Sequence, residues 1–206
     1  MNSSALLIGG GGHARVVLDT LLGMGRLCRG VIAQTSPDFR DIEYLGDDEA
    51  ALRNFPEGVP AAMGVGGTPR QGASGTALRR RIYEQYREAG FTFPPLIGRG
   101  VILAPDVEIE DGGQIIAGAI IQPNVHIGRN ALVNTGACVD HDTVIQAHAM
   151  VGPRAVLCGG VIIEEGAYIG AGAVVLQGIR IGTDSVVAAG AVATADLPTG
   201  GYVSRR

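Results

Sequence analysis

Basic residues are few and scattered in this chain of 206 residues, whose formal net charge is -4 at neutral pH. Without a long basic run it lacks the surface that a nucleic acid or an anionic membrane selects. Arg79, Arg80 and Arg81 form its one basic cluster, which reads as a solvated helix face because such side chains usually stay exposed. Long apolar runs are missing as well. Nothing approaches the roughly 18 residues of a membrane span, so no membrane insertion is expected. The opening MNSSALLIGGGG has no basic n-region, and its apolar run is too short for a secretion signal. Cysteine is limited to Cys28, Cys138 and Cys158, an odd number without a CxxC pair, which indicates neither a disulfide framework nor a zinc knuckle. These absences together predict a cytoplasmic protein.

What is abundant is order. From Ile97 to Val187 every sixth residue is aliphatic, through Leu103, Ile109, Ile115, Ile121 and onward without a break. The position four residues after each is small or β-branched, as in Ala119, Ala131, Ala137 and Ala149. A helix repeats its apolar residues at about 3.6 and a lone strand at 2, so a strict period of six means a coil of short strands and turns. Equivalent side chains then stack about 4.8 Å apart, the aliphatic residue inside and the small one at the tight corner. Three hexapeptides per turn predict about five coils, each stabilised by its neighbours. Gly128, Gly152, Gly170, Gly182 and Gly190 are expected to supply turn geometry.

Upstream the pattern changes. An apolar run from Ser4 to Ile8 feeds the glycine loop GGGGHA, and Arg15 to Leu22 reads as an amphipathic helix. Gly30 to Ala33 and Ala61 to Val65 suggest further strands, Thr76 to Ala89 a helix, and Phe91 to Phe93 a fourth strand before Pro94 and Pro95. Alternating strands and helices indicate a small parallel, Rossmann-like α/β domain over residues 1–95, with the β-helix occupying 96–206.

Two motifs carry chemistry. Gly9, Gly11 and Ala14 fit G-x-G-x-x-A between a strand and a helix, where backbone N–H groups hold a phosphate. The second strand ends in Ala33 and Gln34 rather than the acidic residue that grips a dinucleotide's ribose, which favours a phosphate-bearing nucleotide ligand over a redox dinucleotide. Gly66 and Gly67 follow the third strand at the same crevice. Within the coil, His141 stands off the aliphatic register beside Asp142, so its imidazole points outward. A histidine with a carboxylate neighbour suits general-base work near neutral pH. His126 and His148 share no such setting and read as solvated structural histidines.

A GGxGHA-type opening, a small nucleotide-binding domain and NTGACVDHD (134–142) embedded in hexapeptides resemble the sialic-acid O-acetyltransferase (NeuD-like) family of sugar acyltransferases, close to the nucleotide-linked 4-amino-sugar N-acetyltransferases. The resemblance implies a left-handed coil, acetyl-CoA as co-substrate, no metal, and a homotrimer with active sites between subunits. By position it implies His141 as catalytic base with Asp142 tuning it. It places Gly11, Gly12, His13, Gly66 and Asn134 around the nucleotide-linked sugar, and Met150, Gly159, Ala171 and Ala189 along coenzyme A. Met150 stands where the family has a second histidine. The implied reaction is acetylation of an amino group on a nucleotide-linked amino-sugar for surface glycans, with sialic-acid O-acetylation as the alternative. Two readings of other classes stand beside it: a non-catalytic nucleotide-sugar and coenzyme-binding β-helix, and a zinc hydratase, which requires three converging histidines.

Overall fold

A computed structural model describes residues 4–39, 41–67, 69 and 74–204. The N-terminal part is a three-stranded parallel sheet, with β1 (Ser4–Ile8) between β2 (Leu27–Ile32) and β3 (Ala61–Met63). Three helices join it: α1 (Gly12–Gly23), α2 (Asp48–Asn54) and α3 (Ala77–Glu88). β1 is buried from Ala5 to Ile8, as a central parallel strand covered on both faces must be.

Two expectations need correction here. Phe91 to Phe93 is not a sheet strand. Thr92 makes one isolated bridge to Pro60, while Phe91 and Phe93 turn inward as core anchors at 2% and 1% exposure. α2 was not expected, although its signals are present: Asp47 caps it by accepting from Ala50 N at 2.9 Å, acidic residues fill the first turn and Arg53 the last.

From Leu96 the chain winds into a left-handed parallel β-helix. Two-residue strands 18 positions apart pair in register, as in Gln114, Leu132 and Met150, giving parallel sheets of seven, six and five strands. The in-frame aliphatic residues fill the prism from Ile115 to Val187, and the small residues Ala119, Ala131, Ala137 and Ala149 are also buried. Outward residues give each sheet its character. The domain-facing sheet shows Leu96, Gln114, Leu132, Met150 and Tyr168 to the α/β domain. The apolar sheet carries Ile102, Ile120, Cys138, Val156, Val174 and Val192, and the charged sheet carries Glu108, His126 and Arg180.

The glycine expectation holds in part and for a different reason in part. Gly190 has φ +67°, but Gly128 and Gly152 do not need left-handed backbone. A Cβ on either would lie 2.7 Å from backbone of the next coil, so close approach excludes a side chain there. Left-handed φ is demanded instead at three corner ladders. One of them reads Asn124, Asp142, Gly160 and Gly178.

α3 lies along a second such ladder, formed by Gly112, Asn130, His148, Gly166 and Asp184. Thr76 donates to Gly166 O, Arg80 pairs with Glu165 and Asp184, Glu84 meets His148, and Arg87 pairs with Asp111. Arg79 is fully buried and Arg80 half-buried in its ion pairs, so the solvated-face reading of the arginine cluster holds only for Arg81.

Candidate active site

His141 projects from the corner between the apolar and charged sheets, exposed to solvent. Its Nδ1–H donates to Asp142 Oδ2 at 2.7 Å, and Asp142 Oδ1 accepts from Asn124 Nδ2 at 2.6 Å. The left-handed corner makes this possible: Asp142 stacks on Asn124 one coil below, so the carboxylate is steered from beneath. The hydrogen bond from His141 to Asp142, then the charge of Asp140, raise the imidazole pKa; the bonds from Asn124 and His141 hold the Asp142 carboxyl below its ordinary range. With Nδ1 committed, Nε2 carries the free lone pair. The Cε1–Nε2 edge lies over Gly159, where a Cβ would stand 2.7 Å from both atoms. Gly159 therefore leaves open the space into which the basic nitrogen points. Asn124, which sequence reasoning missed, is recognisable only through its 18-residue offset from Asp142.

The other expected residues form two further groups. Asn134, Ala171 and Ala189 mark the opposite edge of the apolar sheet, where Asn134 Oδ1 accepts from Thr135 N at 2.8 Å. Gly11, Gly12, His13 and Gly66 gather at the seam between domains: Gly11 caps α1, Gly12 opens it, and a Cβ on Gly66 would lie 3.3 Å from His13 Cβ. His13 Nε2 donates to Gln114 Oε1 at 3.2 Å, because the Gln114 amide itself donates to Met63 O at 2.9 Å. Burial, then the charge of Arg79, lower the His13 pKa to about 4. Met150 packs with Ile116 and Leu132 under Gly67 at 4% exposure, and in this chain it offers almost no surface to a coenzyme. A single chain does not bring the three groups together.

A crevice of about 900 Å³ opens at the ends of β1 and β2, lined by Gly9, Gly10, Ala33, Gln34, Asp47 and Arg81 among others. The carboxylates absent from the end of β2 arrive here from the start of α2, and Gln34 Nε2 donates to Asp48 Oδ2 at 3.0 Å. Gly9 and Gly10 line this space; Gly11 and Gly12 do not.

The remaining histidines stand apart. His126 sits on the charged sheet between Glu108 at 3.3 Å and Glu110 at 2.9 Å, as a solvated structural histidine would. His148 is a correction: it is 2% exposed, accepts from Asn130 Nδ2 at 3.0 Å and donates Nε2–H to Glu84 at 3.1 Å. His126, His141 and His148 therefore do not converge, and no cluster of three metal-ligating side chains occurs among the described residues.

The fold defines an acyltransferase of the hexapeptide type, with His141 exposed at a corner of its coil. Residues 142–177 match bacterial transferase hexapeptide (six repeats), and 160–195 match the hexapeptide repeat of succinyl-transferase. No curated protein matches the chain by sequence. Among solved structures, a histidine-to-alanine variant of GDP-perosamine N-acetyltransferase from Caulobacter crescentus, in complex with CoA and GDP-perosamine, is 30% identical with a TM-score of 0.86, covering 98% of this chain and 93% of that one. The acetyltransferase domain of PglB from Neisseria gonorrhoeae FA1090, in complex with acetyl coenzyme A, is 28% identical with a TM-score of 0.88, covering 100% and 97%. WeeI from Acinetobacter baumannii AYE shares the fold at 20% identity and a TM-score of 0.86, covering 98% and 97%. The chain belongs to the hexapeptide-repeat sugar acyltransferases. No helix among the described residues is long and apolar enough to cross a membrane.

Proposed function

We propose that this protein transfers an acetyl group from acetyl-CoA to the amino group of a nucleotide-linked 4-amino-4,6-dideoxy sugar, in surface glycan synthesis. The observation that carries this is the Asn124–Asp142–His141 chain ending in a bare Nε2 over Gly159. The similarity to an N-acetyltransferase solved with CoA and GDP-perosamine supports the substrate class.

The acceptor nitrogen attacks the thioester carbonyl while His141 Nε2 takes its proton. The tetrahedral oxyanion collapses, the C–S bond breaks, and the imidazolium returns a proton to the leaving thiolate. Asp142 keeps Nδ1 protonated, so the basic lone pair always faces outward.

The active unit in this proposal is a homotrimer. The apolar sheet leaves Ile102, Val156 and Val192 at 64%, 37% and 50% exposure in a continuous outward ladder, a face that calls for a partner. With that sheet turned toward a three-fold axis, the His141 corner of one subunit meets the Asn134, Ala171 and Ala189 edge of the next. The separated groups thereby become one site, with coenzyme A along the groove and the sugar reaching in from the α/β domain.

A thiol-release assay with acetyl-CoA against UDP-, GDP- and dTDP-linked 4-amino-sugars and free sialic acid tests the proposal. Turnover is expected with one nucleotide-linked amino-sugar. Release with sialic acid alone, or with none of them, refutes it.

A further inference from the structure

Among the described residues, Arg79 is the one arginine or carboxylate side chain in the buried core. Its Nη1 donates to Val65 O at 2.7 Å and Met63 O at 3.3 Å, and its Nε to Asn130 O at 3.3 Å. Nη2 has no partner among the described residues. The guanidinium forms no ion pair, although every Asp and Glu of the chain is described. Its hydrogen-bond partners among the described residues are three neutral carbonyls, for a charge that proteins normally bury only against an anion.

The carbonyls of Met63 and Val65 belong to the end of β3 and the loop that leads into Gly66, and Gly66 lies against His13 in the first turn of α1. Gln114, from the coil, holds both Met63 O and His13. Arg79 thus sits directly behind the glycine-bearing edge of the α/β domain. It is also bonded to the coil through Asn130 O. Glycine backbone, a helix N-terminus and a buried cation all favour negative charge at the same edge.

We propose that Arg79 is a positioning residue for the acceptor substrate: its uncompensated charge is balanced by the diphosphate of the nucleotide sugar, and its three carbonyl contacts hold that diphosphate in register with the catalytic coil. This rests on the nucleotide-sugar reading of the site. Because the guanidinium is fully buried, it acts through the loop and His13 and not by touching substrate. His13 already feels it, since the Arg79 charge helps keep that imidazole neutral.

The test compares the full-length wild type with Arg79→Lys and Arg79→Met. UDP, GDP and dTDP serve as probes, with the matching nucleosides as controls, followed by kinetics with whichever nucleotide amino-sugar turns over. Wild type should bind one nucleoside diphosphate at least tenfold more tightly than its nucleoside. In Arg79→Met, KM for the nucleotide sugar should rise about tenfold while KM for acetyl-CoA stays within twofold, and Arg79→Lys should recover most of the loss. The His13 pKa should rise in Arg79→Met and not in Arg79→Lys. If Arg79→Met does not fold, the Lys variant decides: it must keep the preference for diphosphate over nucleoside. An unchanged nucleotide-sugar KM in a folded Arg79→Met, or loss of that preference in Arg79→Lys, overturns the role of Arg79 alone. Failure of every nucleoside diphosphate to bind wild type overturns the nucleotide reading beneath it.

Discussion

Acidification should loosen the docking of α3 on the coil before the carboxylates titrate, and His148 is the group responsible. It is buried, accepts from Asn130 and donates to Glu84, while Arg79, Arg80 and Arg129 surround it. Burial first, then those three cations, hold its pKa down at about 4 against an ordinary 6.5. The unfolded chain therefore binds this proton at higher pH than the folded one. Its contribution to stability is complete above pH 6.5, is lost progressively as pH falls toward 4, and is flat below that. Between pH 6.5 and 5, where most carboxylates remain ionised, about 1.5 units at about 1.4 kcal/mol each give a loss of about 2 kcal/mol.

The diagnostic variant is His148→Gln, which keeps an acceptor for Asn130 and a donor for Glu84 but cannot titrate. Urea unfolding of both proteins at pH 8, 6.5, 5.5 and 5 measures the difference. His13 and the raised His141 contribute equally to both and cancel. The gap should narrow by about 2 kcal/mol from pH 8 to 5, the wild type losing stability faster. A gap independent of pH would show that His148 titrates normally, and with it that the seam is open to water.

His141→Ala should remain folded, since the side chain is exposed, and lose about 10²-fold or more in turnover, as removal of a general base does; near-normal turnover refutes the mechanism. Asp142→Asn removes the group that raises the His141 pKa, so the acid limb of the kcat/KM profile, where the base becomes protonated, should move to lower pH while the plateau drops. An unmoved limb assigns it to another group. Gly159→Val should displace the imidazole from above the coil and cut turnover at least tenfold with little change in thermal stability, read by paired kinetics and calorimetry. Val156→Glu, on the apolar sheet, should convert the assembly to monomer by analytical ultracentrifugation and abolish activity; a fully active monomer excludes the intersubunit site.

The coil was legible because its physics is one-dimensional. Each hexapeptide imposes the same demand, so the in-frame aliphatic residues announce the interior, and the buried stack from Ile115 to Val187 follows. His141 was legible for the related reason that it breaks the register beside a carboxylate. Gly152 was visible as a constraint, but its cause, the approach of Ile169 O, depends on a coil not yet built. Asn124 and Gly159 lie 18 residues before Asp142 and after His141, so only a reader counting whole coils would join them to that pair.

Domain docking was hidden for a sharper reason. Thr76, Arg80, Glu84 and Arg87 recur at helical spacing, and charged residues in that pattern describe a solvated face equally well. The helix advances about 5.4 Å per turn and the coil about 4.8 Å per layer, so a three-turn helix stays nearly in step with three to four coils. Over its whole length α3 therefore spans the coils from Gly166 through His148 to Asp111. The signal was on the coil side. The ladder reads Gly112, Asn130, His148, Gly166 and Asp184, positions 18 apart whose left-handed backbone glycine adopts freely and Asn, Asp and His adopt more readily than other residues. His148 holds φ +61°, and its ring is fixed between Asn130 on the coil and Glu84 on α3. At 2% exposure a ring on this outer corner has to be covered by another element, and α3 is what covers it.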